Sequence, residues 1–154
     1  MDWTDKNKIL TEQLEILLAL RKKFGKEVIE IASKARLAVH QRWMRELSKG
    51  SPPSRPAEVF RHSAYSVTTA GSDLLQYDVL EDSESRFAVK IASCRYADFY
   101  KQKDFPEIGY AMHCALDFGE AKAFWPGVTL KRTKTLMQGN EFCDHCYEVS
   151  KHKK

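Results

Sequence analysis

The distribution of cysteines constrains the fold of this chain more than any other feature of its sequence. All four lie in residues 94–146, and none precedes Cys94. The same stretch carries the side chains that most often share a site with thiols: His113, Asp117, Asp144 and His145. Cysteines that form no disulfide usually bind a metal, take part in catalysis or fill a buried position. Their grouping therefore predicts one chemical centre, built by the second half of the chain.

Charge and hydropathy predict which partners to expect. Lys and Arg number 25 against 21 Asp and Glu, a formal net charge of +4, and much of the excess lies in residues 151–154. No basic stripe is interleaved with aromatic side chains, so we expect no nucleic-acid partner. The polar, acidic start predicts no leader, and no run approaches the roughly 20 apolar residues of a membrane span. We therefore expect a cytoplasmic protein with no membrane partner.

The first 56 residues are predicted to form a helical arm and a loop. Apolar side chains recur at steps of three and four through residues 5–48, the period of an amphipathic helix. Gly25 follows three cations and predicts a helix end and a bend into a second helix. The inner face is predicted to hold Leu10, Leu14, Leu17, Phe24, Val28, Ile31, Ala35 and Ala38, widened by Ile9, Ile16 and Leu20. This face either packs on the rest of the chain or joins two copies in a homo-oligomer.

Residues 57–150 are predicted to form an α+β core that completes a single domain over residues 1–154. The breaker cluster at residues 48–56 indicates a loop, and a helix is predicted over residues 57–69. Strands are predicted at 74–80, 87–93, 128–137 and 142–149, with one helix from just after Cys94 to residue 101 and another over 106–124. We expect a four-stranded antiparallel sheet of two hairpins with helices packed on one face.

Three separate elements of this core carry the candidate site residues. Cys94 ends a strand just before a helix. Cys114 and Asp117 are three residues apart, so they lie on one helix face with Cβ atoms about 5–6 Å apart. Cys143 shares the inner face of the last strand with His145, while Cys146 is on the other face, because strand side chains alternate.

These residues resemble a known family. The order Cys94, Pro106-Glu107, Cys114-x-x-Asp117 and Gly139-x-x-x-Cys143-Asp144 is similar to that of the L-2-amino-thiazoline-4-carboxylic acid hydrolases. The resemblance covers the C-terminal half well and the N-terminal half only as helix followed by hairpin. It implies hydrolysis of a cyclic C=N bond in a small carboxylate-bearing ring, which opens to an N-carbamoyl product.

Two chemistries suit such a site, and the sequence leaves both open. In the first, a thiolate of Cys94 or Cys114 attacks the ring carbon, and Asp117 or His113 carries the proton. In the second, Cys94, Cys114, Cys143 and Asp117 hold a metal ion, for which sulfur-rich ligation favours zinc or iron.

Three further residues are candidates for substrate binding, and the final hairpin also suggests a second class of function. Arg95 and Arg132 adjoin the proposed site elements and are candidates to bind the substrate carboxylate, and Thr135 is a candidate donor to the ring. The final hairpin is also similar to 4-vinyl reductase domains, which implies a non-enzymatic small-molecule-binding module with a cysteine-rich metal site. The cysteine spacing departs from that pattern, so this alternative ranks second. His145 and Cys146 receive no role.

Overall fold

The N-terminal arm consists of two long helices joined at a glycine. The computed structural model describes residues 3–63 and 74–150. Helix α1 spans Trp3–Phe24 and α2 spans Glu27–Gly50. Between them Gly25 has a φ of 90°, a left-handed conformation that favours glycine, and its N–H donates to the carbonyl of Arg21 at 2.9 Å. The predicted bend is confirmed.

The buried face of the arm is narrower than predicted. Leu10, Leu14 and Leu17 are buried, but Phe24 is 59% exposed and Ile31 is 67% exposed. The widening residues Ile9, Ile16 and Leu20 are also exposed. Within α1 the prediction was wrong because only the stripe of Leu10, Leu14 and Leu17 packs on the rest of the chain, and the apolar residues beside and beyond it stay exposed. Beyond Gly25 it was wrong because the left-handed residue between the helices resets the helical phase, so one apolar stripe cannot continue into α2.

The sheet has the predicted antiparallel architecture. Its strands are β1 (Leu75–Asp82), β2 (Arg86–Cys94), β3 (Val128–Lys131) and β4 (Cys143–Val149), in the order β1-β2-β4-β3. The hairpins β1–β2 and β3–β4 are joined through the central pair β2–β4, in which Val89 lies opposite His145 and Ile91 opposite Cys143. On β2 these two apolar residues are buried and Lys90 is exposed, so the helices cover one face of the sheet. The α+β fold class is confirmed.

The shorter helices are α3 (Pro56–Ser63), α4 (Arg95–Gln102), α5 (Pro106–Met112) and α6 (Asp117–Phe124). The single helix predicted over residues 106–124 is wrong: α5 ends at Met112, and one 3-10 turn, Cys114–Leu116, precedes α6. No proline or glycine occupies the break at His113. Its ring instead packs against the ring of Tyr96, with centroids 4.7 Å apart, a tertiary contact that local sequence does not reveal. The end of the predicted helix over 57–69 lies outside the described residues.

The strand predicted over residues 128–137 is also shorter than expected. It ends at Lys131, and a 3-10 turn, Leu136–Gln138, occupies part of the connection to β4. Thr135 caps this turn by accepting a hydrogen bond from the N–H of Gln138 at 3.1 Å. Gly139 ends it with a φ of 89°, which explains a glycine at the start of the Gly-x-x-x-Cys-Asp pattern.

None of the described helices combines the length and the apolar content needed to cross a membrane.

Candidate active site

A cavity of about 1080 Å³ lies between the helical layer and the covered face of the sheet. Residues from α2, α3 and the segment from His113 to Glu120 line one side, and residues of β2 and β4 line the other. The cavity is the place where elements distant in sequence meet, so it is the natural candidate for the functional site.

The structure brings the candidate cysteines to this cavity. Cys94, Cys114 and Cys143 all line it, together with Asp117. Cys94 arrives at the end of β2, Cys114 in the 3-10 turn, and Cys143 at the start of β4. The break after α5 therefore does not remove Cys114 or Asp117 from the site. Cys146 lies on the opposite side of β4 from Cys143, as the alternation of side chains predicts.

The thiols that line the cavity are held in their protonated form. Burial raises the pKa of Cys94 to about 11, although backbone N–H groups of Ala97 and Tyr96 favour the thiolate. Burial, followed by the charge of Asp117, raises the pKa of Cys114 well above its ordinary value. Burial likewise raises the pKa of Cys143, whose Sγ accepts a hydrogen bond from the N–H of Leu136 at 3.2 Å. At neutral pH these groups are hydrogen-bonding thiols and poor nucleophiles.

Asp117 is the acidic group of the cavity, and Arg132 holds it. Nη1 of Arg132 donates to Oδ2 of Asp117 at 2.5 Å, and Nη2 donates to the carbonyl of Cys114 at 2.9 Å. The Arg132 side chain is 2% exposed and lies over the ring of Phe118 at 4.8 Å, whereas 27% of the Asp117 side chain is accessible. Asp117 thus lies deep in the protein, with its accessible part facing the cavity.

The pKa of Asp117 is poised near neutrality. Burial raises it to about 7, the charge of Glu120 acts in the same direction, and Arg132 lowers it by its charge and its hydrogen bond. Burial is the largest effect because a carboxylate that leaves water loses more hydration free energy than its interaction with one guanidinium returns. An acid with a pKa near 7 can both accept and return a proton in one reaction cycle.

Two histidines of the cavity are neutral at physiological pH. His113 Nε2 lies 3.1 Å from the hydroxyl of Tyr100, and burial, with the charge of Arg36, lowers the pKa of His113 to about 3. His145 Nε2 lies 3.4 Å from Nη1 of Arg132, and burial, with that charge, lowers the pKa of His145 to about 3. Neither ring is a proton donor in imidazolium form at pH 7.

The metal-binding alternative does not fit this donor set. Within residues 3–63 and 74–150, no three His, Cys, Asp or Glu side chains are arranged to hold a metal ion. Asp117 is the oxygen ligand of the predicted set, and it already accepts a hydrogen bond from the guanidinium of Arg132. The positive charge of that guanidinium would also repel a metal cation bound beside it.

The three predicted substrate-binding residues differ in their position relative to the cavity. Arg132 lines the cavity, and two of its N–H groups bind Asp117 and the carbonyl of Cys114. Arg95 does not line the cavity, and its guanidinium lies over the ring of Trp3 at 5.4 Å. Thr135 is buried away from the cavity in the turn that it caps.

Sequence reasoning missed the contribution of α2. Arg36 and His40 line the cavity, and His40 Nδ1 lies 2.6 Å from Oε1 of Glu120, a buried residue of α6. In the described part of the chain Arg36 has no hydrogen-bonded or ion-paired partner, and its Nε is buried. The spacing of Arg36 and His40 could have indicated a shared position, because residues four apart lie on one helix face. The apolar stripe of the arm instead favoured a prediction of packing alone.

Asp144, the last residue of the Gly-x-x-x-Cys-Asp pattern, has a structural role. Its Oδ1 accepts hydrogen bonds from the backbone N–H groups of Thr133 and Lys134, at 2.8 and 2.5 Å, and its Oδ2 accepts one from the Thr133 hydroxyl at 2.6 Å. These bonds lower the pKa of Asp144, although burial opposes them. They fix the segment that follows Arg132, and so they help to position the guanidinium beside Asp117.

Comparison with solved structures shows one related fold with a TM-score above 0.5, and weaker matches below that value. The phenol-responsive sensory domain of the transcription activator PoxR with phenol is 12% identical, over 88% of this chain and 71% of that one, with a TM-score of 0.52. A trafficking protein particle complex subunit 3 from Naegleria fowleri, covalently bound to palmitic acid, is 13% identical over 96% and 97% of the two chains, with a TM-score of 0.49. An H-NOX protein from K. algicida is 12% identical over 93% and 74%, with a TM-score of 0.48.

Sequence comparison is more specific. No match was found among curated proteins. The sequence model of one family matches residues 7–147, which includes the cysteines, Asp117 and the arm. This chain therefore belongs to the L-2-amino-thiazoline-4-carboxylic acid hydrolase family.

Proposed function

We propose that this protein is a hydrolase that opens a cyclic C=N compound bearing a carboxylate, with 2-amino-thiazoline-4-carboxylate as the reference substrate and an N-carbamoyl thiol as the product. The observation that carries the proposal is the placement of Asp117. It opens into the cavity with a pKa of about 7, held by a buried arginine and adjoined by protonated thiols.

Asp117 acts as the general base in the first step. It removes one proton from water, whose oxygen bonds as a hydroxyl to the ring carbon between sulfur and nitrogen. The C=N bond becomes a single bond, and the ring nitrogen takes a proton from solvent. The carbon–sulfur bond then breaks, and the hydroxyl becomes the carbonyl as it releases its remaining proton to solvent. The proton held by Asp117 passes to the departing sulfur, which restores the carboxylate. One water is consumed, and no oxidant or reductant is needed.

Water attack suits the cavity better than thiolate attack. A thiol whose pKa is about 11, such as Cys94, is almost wholly protonated at pH 7. The neutral rings of His113 and His145 are engaged with Tyr100 and Arg132. The thiols of Cys94 and Cys114 serve instead as weak donors to the ring sulfur and nitrogen.

Arg36 is the proposed partner of the substrate carboxylate. It lines the cavity, and none of the described carboxylates pairs with it. Arg132, by contrast, already neutralises Asp117. A guanidinium with free donors binds a carboxylate in a charge-assisted, two-point geometry, which fixes the ring relative to Asp117.

The test is ring opening by the purified protein, followed as release of a free thiol. We expect turnover by the wild type and a loss of about 100- to 10,000-fold in Asp117→Asn, the usual contribution of a general base. Asp98→Asn, a matched change at an exposed residue of α4, should keep full activity. Wild-type turnover should persist after treatment with a strong chelator. No turnover by the wild type, or full turnover by Asp117→Asn, would reject the proposal.

A non-enzymatic binding module, similar to 4-vinyl reductase domains, is the second candidate. Two observations favour it: the size of the cavity, and a fold shared with a sensory domain whose structure contains phenol. A binder would hold the ring compound without consuming it, and Asp117→Asn would keep that affinity. A cytoplasmic location and an interface between copies through the helical arm remain predictions.

A further inference from the structure

The cavity is larger than the reference substrate requires. Its volume of about 1080 Å³ reaches the upper end of the roughly 300–1,000 Å³ that pockets for drug-sized ligands enclose. A single five-membered ring with one carboxylate fills only a small part of such a space. Protein interiors are otherwise close-packed, so a large lined space indicates a larger occupant.

The cavity also extends along α2. Arg36, His40, Met44 and Leu47 follow one another at steps of four, four and three residues, and all line it. With a rise of 1.5 Å per residue, Arg36 and Leu47 lie about 16 Å apart along the helix axis. Glu120, which meets His40 at 2.6 Å, is three residues after Asp117, so the acidic centre adjoins the middle of this wall.

The two ends of the wall differ in chemistry. At one end is Arg36, a cation whose Nε is buried without a hydrogen-bond partner in the described part of the chain. At the other end are Met44, which is buried, and Trp43 and Leu47, which are 59% and 44% exposed. Large apolar side chains left open at the edge of a cavity are typical of a ligand-binding surface.

We infer that the natural ligand is an amphipathic carboxylate. Its carboxylate pairs with Arg36, and an apolar substituent, longer than the ring itself, lies along α2 toward Met44 and Leu47. The inference rests on the proposed function for the placement of the ring beside Asp117, and it adds the substrate class: ring compounds that carry an alkyl or aryl extension. The reference substrate without that extension is then a minimal fragment.

The experiment measures binding and does not depend on turnover. Straight-chain carboxylates from butanoate to dodecanoate are titrated by calorimetry against the wild type, with primary alcohols of equal length as neutral controls. We expect affinity to rise about three- to fourfold per methylene until the apolar end is filled. Each alcohol should bind at least tenfold more weakly than its carboxylate, because the charge-assisted bonds to Arg36 are lost.

Three variants assign the two ends of the cavity. Met44→Trp fills the apolar end, so it should keep the affinity for butanoate and lose the gain with length. Arg36→Gln should weaken every carboxylate by a similar factor and leave the alcohols unchanged, and Arg36→Lys should restore part of that loss. Circular dichroism and thermal melting confirm that each variant is folded.

Three results would overturn the inference: wild-type affinity that does not rise with chain length, carboxylates that bind no better than alcohols, or a length dependence that survives in Met44→Trp. The proposed function fails separately. Chain-length dependence without ring opening would keep the amphipathic ligand and reject the hydrolase. Ring opening without chain-length dependence would do the reverse.

Discussion

Arg132 and Asp117 form a buried contact of 2.5 Å between the connection that follows β3 and the first residue of α6, with the guanidinium sealed in protein and the carboxylate open to the cavity. Two effects shift the pKa of Asp117 in opposite directions. Burial favours the neutral acid, whereas the guanidinium favours the carboxylate. The balance leaves Asp117 with a pKa of about 7, which allows one residue to act as base and then as acid.

The first prediction concerns the pH dependence of activity. Because the base form of Asp117 is required, kcat/KM should rise with pH through about 7 in the wild type. Arg132→Gln removes the group that lowers the pKa of Asp117, so the rise should move to higher pH. Arg132→Lys keeps the charge and should stay closer to the wild-type profile. A shift to lower pH in Arg132→Gln would contradict this electrostatic account.

The second prediction concerns stability. Asp117 has a folded-state pKa of about 7 against an ordinary value of 3.8. A raised acid pKa contributes stability that is complete below the unfolded pKa and is lost as pH rises through the folded one. Relative to the wild type, Asp117→Asn should therefore gain stability between pH 4 and 8, by up to about 4 kcal/mol at roughly 1.4 kcal/mol per pKa unit.

Urea unfolding of both proteins across this pH range measures the difference. Asp98→Asn, at an exposed position, should show no such trend. A constant difference between the wild type and Asp117→Asn would mean that the carboxylate titrates at its ordinary pKa.

The third prediction concerns thiol reactivity. Cys94 and Cys114 have pKa values raised by burial, so iodoacetamide should modify them slowly at pH 7 in the folded protein. Peptide mass spectrometry after timed alkylation locates each modified residue, and urea-unfolded protein sets the rate of freely accessible thiols. Rapid modification of Cys94 in the folded state would revive the thiolate mechanism.

The fourth prediction concerns packing beneath the site. A Cβ at Gly109 would lie 2.5 Å from Cγ of Tyr100 and 2.6 Å from Sδ of Met137, and both neighbours are buried. Gly109→Ala should therefore destabilise the protein by about 1–3 kcal/mol or more, measured by thermal melting. Gly50→Ala meets no atom within 4 Å at a helix end, so it should be neutral or slightly stabilising. Equal effects of the two changes would show that α5 can move aside.

The sequence by itself determined the class of the fold, and it predicted that Cys94, Cys114, Cys143 and Asp117 come together, as they do around the cavity. Period-two and period-3.6 patterns are local, so the two hairpins, the bend at Gly25 and the opposite faces of Cys143 and Cys146 could be predicted. The family pattern was readable for the same reason, because its spacing is written along the chain.

Only the tertiary structure decided which arginine forms an ion pair with Asp117. Arg132 looked like one of two equivalent arginines until the turn fixed by Asp144 placed it beside Asp117. Arg36 could not be assigned, because its position depends on how α2 packs against α5 and α6, a contact between residues far apart in the chain. The pKa of Asp117 depends on burial, which is a property of the assembled layers and is absent from any local stretch of sequence.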